Sequence, residues 1–364
     1  MRRRSALDVL VAAAVAGRVV GVEREYTVRG PDGPVDGRTI WPQLQDLGAA
    51  LDPGDPQARR IPSGDVVTLD GRHVEIATSP VPLARGCTTE LLVRVAAAAR
   101  HLTDRLPAGL VLEGYSTHLN IEVDDRKVVR TARTLAHRFA LAPMLFVDRV
   151  GSPGLLVRPR PGRLELGGEF LAGEQLRAAV VMAVGVALLA ERRAVGSRRP
   201  RVAAAEVANA VERFGWFIDR TAWGGDLYRS GRSTSIGGEH AGRALERIWT
   251  GCRPRIDELF DAAELALVDR RVSGAEPLPC EVAVDDDDDG TAAPIPLLRH
   301  YRQRTVGSVC VSVLCATWWR AVLEVATPHG TRWLTVPGRA LDPLLDALDR
   351  GELRGDLASL VQRR

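Results

Sequence analysis

The 364-residue sequence predicts an α+β fold built on an antiparallel sheet, followed by a small second α+β module. Three observations predict it. Alternating, strand-like runs occur near residues 19–28, 66–78 and 116–123. Long stretches of helical apolar spacing lie between and after them, and composition breaks sharply at residues 273–296. With 45% apolar and 26% charged residues, the composition is that of a globular chain long enough to bury a sizeable core.

The chain opens on Met1-Arg2-Arg3-Arg4 and an Ala/Val/Leu run that imitates a signal peptide, but Asp8 interrupts the apolar stretch. An amphipathic helix leading into the first strand is expected instead. Residues 30–37 are rich in Gly, Pro and Asp and read as a loop, 42–51 as a short helix and 52–64 as turns. Residues 66–78 form the second strand. Leu91, Leu92, Val95 and Leu102 give 88–106 helical spacing. Short apolar 110–112 leads to a strand at 116–123 and a helix over 126–147. A strand near 163–170 is followed by helices at 172–194 and 201–219, and 241–268 is helical with a break near Pro254. The segment 273–296 holds five consecutive aspartates, Asp285 to Asp289, among Pro and Gly; mutual repulsion makes it a solvated linker rather than a cation site. Strands at 306–314, 320–326 and 332–336 and helices at 341–350 and 353–362 complete the module. The expected organisation is a main domain at 1–272, a linker at 273–296 and a module at 297–364.

Several function classes are excluded. The net charge is only +3, no basic stripe interleaves with aromatics, and aromatics make up 5%, so no nucleic-acid partner is expected. Residues 176–189 are too short to span a bilayer and read as a buried helix, so no membrane partner is expected either. Five scattered cysteines form no CxxC pair or zinc spacing, which points to reduced thiols and a cytoplasmic location.

The chemistry concentrates in the strands. Glu23 and Glu25 share one strand face opposite Val22 and Tyr26, and Glu75 lies in a similar run. A solvated face would account for any one Glu. Three on adjacent strands form the oxygen-rich set that a hard divalent cation such as magnesium takes, with nucleotide phosphates completing its shell. His118, Asn120 and Glu122 share a third polar face, where an imidazole and an amide can meet metal or phosphate. Arg158, Arg160 and Arg163 offer forked donors to phosphates or carboxylates, although an exposed basic loop would look the same. Cys87 has no evident catalytic partner, and the Gly pairs lack the Lys-Ser/Thr of a P-loop.

In order along the chain, these segments resemble the carboxylate–amine ligases related to bacterial-type glutamate–cysteine ligase, within the glutamine synthetase-like superfamily. The resemblance rests on Gly21-Val22-Glu23-Arg24-Glu25-Tyr26, Val74-Glu75-Ile76-Ala77-Thr78-Ser79-Pro80, Thr117-His118-Leu119-Asn120-Ile121, Gly151-Ser152-Pro153 and Asn209 to Gly215 with Arg213. It covers roughly residues 18–270. The same superfamily holds enzymes that ligate or deamidate a small prokaryotic protein modifier, with a similar His-x-Asn strand. Asn120 stands where a second histidine is usual, and Glu165-Leu166-Gly167-Gly168 where a Glu-x-Arg element is usual.

The resemblance implies a curved antiparallel sheet of glutamine synthetase-like type with flanking helices, holding ATP and Mg2+. Its reaction would activate a carboxylate, such as glutamate, as an acyl phosphate for attack by an amine. In that scheme Glu23, Glu25, Glu75 and His118 hold metal. His118, Asn120, Arg213 and Glu165 contact the nucleotide, and Arg163, Arg160 and Glu75 act in catalysis. The C-terminal module is loosely similar to small winged-helix modules that dock a peptide on a sheet edge, which would admit a peptide or carrier-protein partner; packing or a homo-oligomer contact is the plainer role. A non-catalytic nucleotide- or peptide-binding protein of this fold, or a metal-dependent deamidase, are the alternatives.

Overall fold

The computed structural model describes residues 5–7, 9–10, 17–193, 205–209, 213–282, 303–317 and 320–362. Its centre is an eleven-stranded sheet in which the paired strands run antiparallel. The strands are β1 (Val19–Gly30), β2 (Gly33–Val35), β3 (Arg59–Arg60), β4 (Val66–Asp70), β5 (His73–Ala77), β6 (Val81–Pro82), β7 (Val111–Glu122), β8 (Gly154–Arg160), β9 (Arg163–Glu169), β10 (Ala205–Asn209) and β11 (Arg213–Asp219). Their order is β10-β11-β8-β9-β7-β1-β5-β4-β3, with β2 and β6 also on β1, and the two ends do not close into a barrel.

One face of this sheet is apolar. Val22, Ile76, Leu119, Ile121, Leu164, Leu166 and Val157 are buried there, beneath α1 (Cys87–Thr103), α2 (Val128–Arg138), α3 (Leu141–Val147) and α4 (Gly173–Arg193). Helix α4 is apolar on all sides, as a helix buried all round must be. It packs against α1, α2, α3, α5 (Ala241–Ile256) and α6 (Ala262–Ser273) as well as β7. Its 21 residues fill the expected 172–194 helix and could cross a membrane by length and composition, beyond the 176–189 run alone, but most of its apolar window is buried within the fold. Pro254 sits in the last turn of α5, and the expected break comes just after it; Asp261 and Glu264 form a capping box that restarts the helix.

Two sequence expectations are corrected and one alternative is removed. The described residues of 201–219 are not helical. They form the β10–β11 hairpin, in which buried Trp216 and Ile218 alternate with more exposed Phe217 and Asp219. Aromatic and branched residues suit a pleated surface, and Gly215 weakens a helix while letting β11 lie against β8, where a Cβ would meet the Val157 carbonyl oxygen at 2.6 Å. Next, the arginine run at 158–163, for which an exposed basic loop was the alternative, is the β8–β9 hairpin. Pro159 is tolerated because the β11 register ends at Val157, so its missing N–H costs no ladder bond. Finally, 66–78 is a hairpin rather than one strand: Asp70 pairs with His73 around Gly71, which has φ +61°.

The last segment forms a second, four-stranded antiparallel sheet. A two-stranded hairpin, β12 (Ser235–Ile236) and β13 (Glu239–His240), precedes it in the chain. The sheet runs β14 (Arg304–Val306), β15 (Val309–Ala316), β16 (Arg320–Thr327) and β17 (Gly330–Pro337), one strand more than expected. Helices α7 (Leu341–Asp349) and α8 (Arg354–Gln362) follow. Its core of Val309, Val311, Leu323, Val325, Leu344 and Leu348 also takes in Leu7 and Leu51 from far upstream. The Leu7 N–H donates to Asp356 at 3.0 Å, and Arg339 donates to Glu122 at 2.8 Å. The five aspartates at 285–289 lie outside the described residues.

Candidate metal and phosphate site

The face of the large sheet opposite the helices carries the charged residues, and strand register places them. Glu25 lies opposite Glu75 on β5, and Glu23 opposite His118 on β7. Further along, His118 faces Gly167 and Asn120 faces Glu165 on β9, and Glu165 in turn faces Arg158 on β8. Directly paired residues share a face, so these side chains form one continuous strip across five strands.

Two groups of metal-ligating atoms result, each with its atoms within 4.8 Å of one another: Glu25, Asp70 and Glu75, and Glu23, His118 and Glu165. The three expected acids are therefore split between neighbouring groups, and His118 bridges them. Its Nδ1 lies 3.3 Å from Glu23 and 3.7 Å from Glu165, and its Nε2 lies 3.6 Å from Glu25. Asp70 was not singled out from the sequence. The Asp-Gly hairpin signal at 70–71 would have found it, because that turn folds β4 back beside β5.

The arginines sit at the other end of the strip. Glu165 is 1% exposed and accepts from buried Arg158 and, at 2.6 Å, from Arg160. The buried pairing of Arg158 with Glu165 brings a guanidinium to the strip where the Glu-x-Arg element is lacking. Arg163 donates to the Asn120 side-chain oxygen at 2.7 Å, so Asn120 fixes an arginine as well as lining the strip. The departure at Gly167-Gly168 also has a steric reason. A Cβ on Gly167 would come 3.1 Å from the His118 ring, and one on Gly168 would strike Val147 of α3 on the helix side at 2.2 Å. Glu122 points elsewhere, accepting from the Val19 N–H and from Arg339. Arg213 opens β11, and its side chain lies outside the described residues.

The electrostatics differ along the strip. Burial pushes Glu23 up, yet the hydrogen bond and charge of His118, with Arg163 and Arg158, hold it below the usual carboxylate range. Glu75 is pushed well above that range by burial and by the charges of Glu23, Glu25 and Asp70. Burial lowers Arg163, against the opposing pull of Glu23. Beyond the strip, burial raises the thiols of Cys87, Cys252 and Cys280 to about 12, so none of them is an activated nucleophile.

No protein-family model matches the chain, and no curated protein matches it. Among solved structures, one described as "GmaS/ADP complex-Conformation 1" is 14% identical, covers 74% of this chain and 72% of its own, and has a TM-score of 0.33. A likeness that slight says nothing about activity. The geometry of the strip must carry any functional conclusion.

Proposed function

We propose that the protein is an ATP- and magnesium-dependent ligase that joins a carboxylate to an amine. The observation that supports this most is the polarity of the strip: two carboxylate groups side by side, continued by Arg158, Arg160 and Arg163 on the same face. A protein that only bound a nucleotide would have no use for so many buried or half-buried, mutually repelling acids.

The donor set of carboxylate oxygens and one imidazole fits hard divalent cations. Glu25, Asp70 and Glu75 would hold one ion, and Glu23, His118 and Glu165 a second. Bound there, magnesium supplies positive charge that offsets a triphosphate and the phosphoryl group in transfer. Arg160 and Arg163, supported by Arg158 and Asn120, would grip the γ-phosphate or the substrate carboxylate, and Arg213 would add to that grip. In the reaction, a carboxylate oxygen of the substrate attacks the γ-phosphorus. The bond to the β,γ-bridging oxygen breaks and ADP leaves. The amine then attacks the acyl carbon, phosphate leaves with the C–O electron pair, and the nitrogen loses a proton. Glutamate is the first acid to try. A peptide- or carrier-borne substrate fits the small module, whose outermost strand β17 exposes Trp333.

The test is to incubate the protein with ATP, magnesium and single amino acids, with hydroxylamine as the amine. ADP and a hydroxamate formed together, only with the matching acid, would support a ligase. Ammonia released from amides without ADP would mean a deamidase. A folded protein that binds no ATP in magnesium would be a partner protein instead.

A pH dependence follows from Glu75. Its raised pKa keeps the carboxyl protonated at pH values where an ordinary Glu is ionised, and a cation must displace that proton. Magnesium affinity is therefore expected to rise with pH, by roughly tenfold per unit while one proton is released, and to level off above the pKa of Glu75. Calorimetry in two buffers of different ionisation enthalpy would count the proton. Affinity unchanged between about pH 5 and 8 would remove Glu75 from the metal set.

A further inference from the structure

At the end of the strip away from the arginines, Tyr115 of β7 and His73 of β5 stack face to face. Their ring centres are 3.9 Å apart and their planes 7° from parallel. A β-bulge brings the two together. Ser116 pairs with Glu25 and Gly114 with Tyr26, so Tyr115 is an extra residue between two consecutive positions of β1. Uninterrupted alternation from His118 and Ser116 would turn Tyr115 to the apolar face. The bulge gives that place to Gly114, where a Cβ would strike the Phe170 ring at 2.3 Å, and leaves Tyr115 on the acid face beside His73. His73 stands two residues before Glu75 on the same face of β5, and its Nδ1 lies 3.3 Å from the Thr27 hydroxyl. It covers one side of the Tyr115 ring, yet Tyr115 is 51% exposed. A ring so placed, backed on one side and open on the other, is a surface on which a further planar ring can stack.

We propose that Tyr115, backed by His73, stacks the base of the nucleotide. The inference rests on the ligase reading above and adds to it the end of the site at which the base lies. Strand register sets the order of parts across the face. Tyr115 and His73 come first, then Glu25, Asp70 and Glu75, then Glu23, His118 and Glu165, and last Arg160 and Arg163. A nucleoside triphosphate has the same polarity: a planar base, a run of phosphates that cations neutralise, and a terminal phosphate that guanidiniums grip. With the γ-phosphate at the arginines, the base falls at the aromatic end. Every base has a π face, so the platform supplies affinity for a base-bearing triphosphate over one without a base.

The probes are ATP and methyl triphosphate, which carries the same charge and no base, each titrated calorimetrically in the presence of magnesium. The wild type is expected to prefer ATP by at least about tenfold, within the range of one base–aromatic stack. Tyr115→Ala is expected to lose that preference while binding methyl triphosphate as the wild type does. Tyr115→Phe, which keeps the ring, is expected to retain it. Unchanged binding of methyl triphosphate also verifies that each variant is folded. No preference in the wild type, or a preference undiminished in Tyr115→Ala, with methyl triphosphate bound in both cases, would overturn the platform and leave the phosphate strip standing. Equal loss of both probes in Tyr115→Ala would make Tyr115 a prop of the fold and overturn it too. A wild type that binds neither probe would overturn the ligase reading, and the platform with it.

Discussion

Glu23→Ala/Glu25→Ala is expected to lose magnesium-dependent ATP binding by at least about a hundredfold, since a bound cation contributes several kcal/mol and each 1.4 kcal/mol is a factor of ten. The two residues serve different atom groups, Glu25 with Asp70 and Glu75, Glu23 with His118 and Glu165, so the double variant strips a ligand from both. Isothermal titration of ATP with and without magnesium separates metal-dependent binding from any contact made by the arginines alone. The variant should still fold, because the apolar side of β1 that carries Val22 is untouched. ATP bound equally tightly by wild type and variant would take the nucleotide off this face altogether.

Glu165→Ala is expected to lower stability by about 3–5 kcal/mol, the range for breaking a buried ion pair by removing one partner. Arg158 is 6% exposed and would keep its charge after its carboxylate had gone, with Arg160 close by. Denaturant unfolding of the wild type, Glu165→Ala and Arg158→Met/Glu165→Leu tests this. The double replacement should recover most of the loss, because the buried charge goes with its partner and only the more exposed Arg160 is left to water. A loss below about 1 kcal/mol in Glu165→Ala would show that water reaches the pair and that it holds little of the fold together.

Much of this was legible before the structure. Glu23, Glu25, Glu75 and His118 stand on strands whose alternation is unmistakable, and β1, β7, α1 and α4 follow their apolar spacing. The failures share a cause: local pattern lost to pairing across the sheet. Arg158-Pro159-Arg160 admits a loop reading because its charges and proline are poor strand signals. It is a strand because β9 pairs with it, setting Arg158 and Arg160 beside Glu165 on one polar face. Phe214-Gly215-Trp216 reads as the tail of a helix until β8 offers it an edge. Asp70 was overlooked because its approach to Glu75 depends on a turn, and a run of alternating residues conceals a turn of so few residues.

The bond from Leu7 to Asp356 joins positions 349 apart. For stability such a clasp is inexpensive, because loop-closure entropy grows only with the logarithm of length, about 0.6 kcal/mol per doubling. For folding it is slow, since contacts of high order wait until nearly all the intervening chain has found its place. With Leu7 and Leu51 seated in its core, the C-terminal sheet therefore depends on upstream residues for its last layer, and it is expected to be the part of the molecule that closes last.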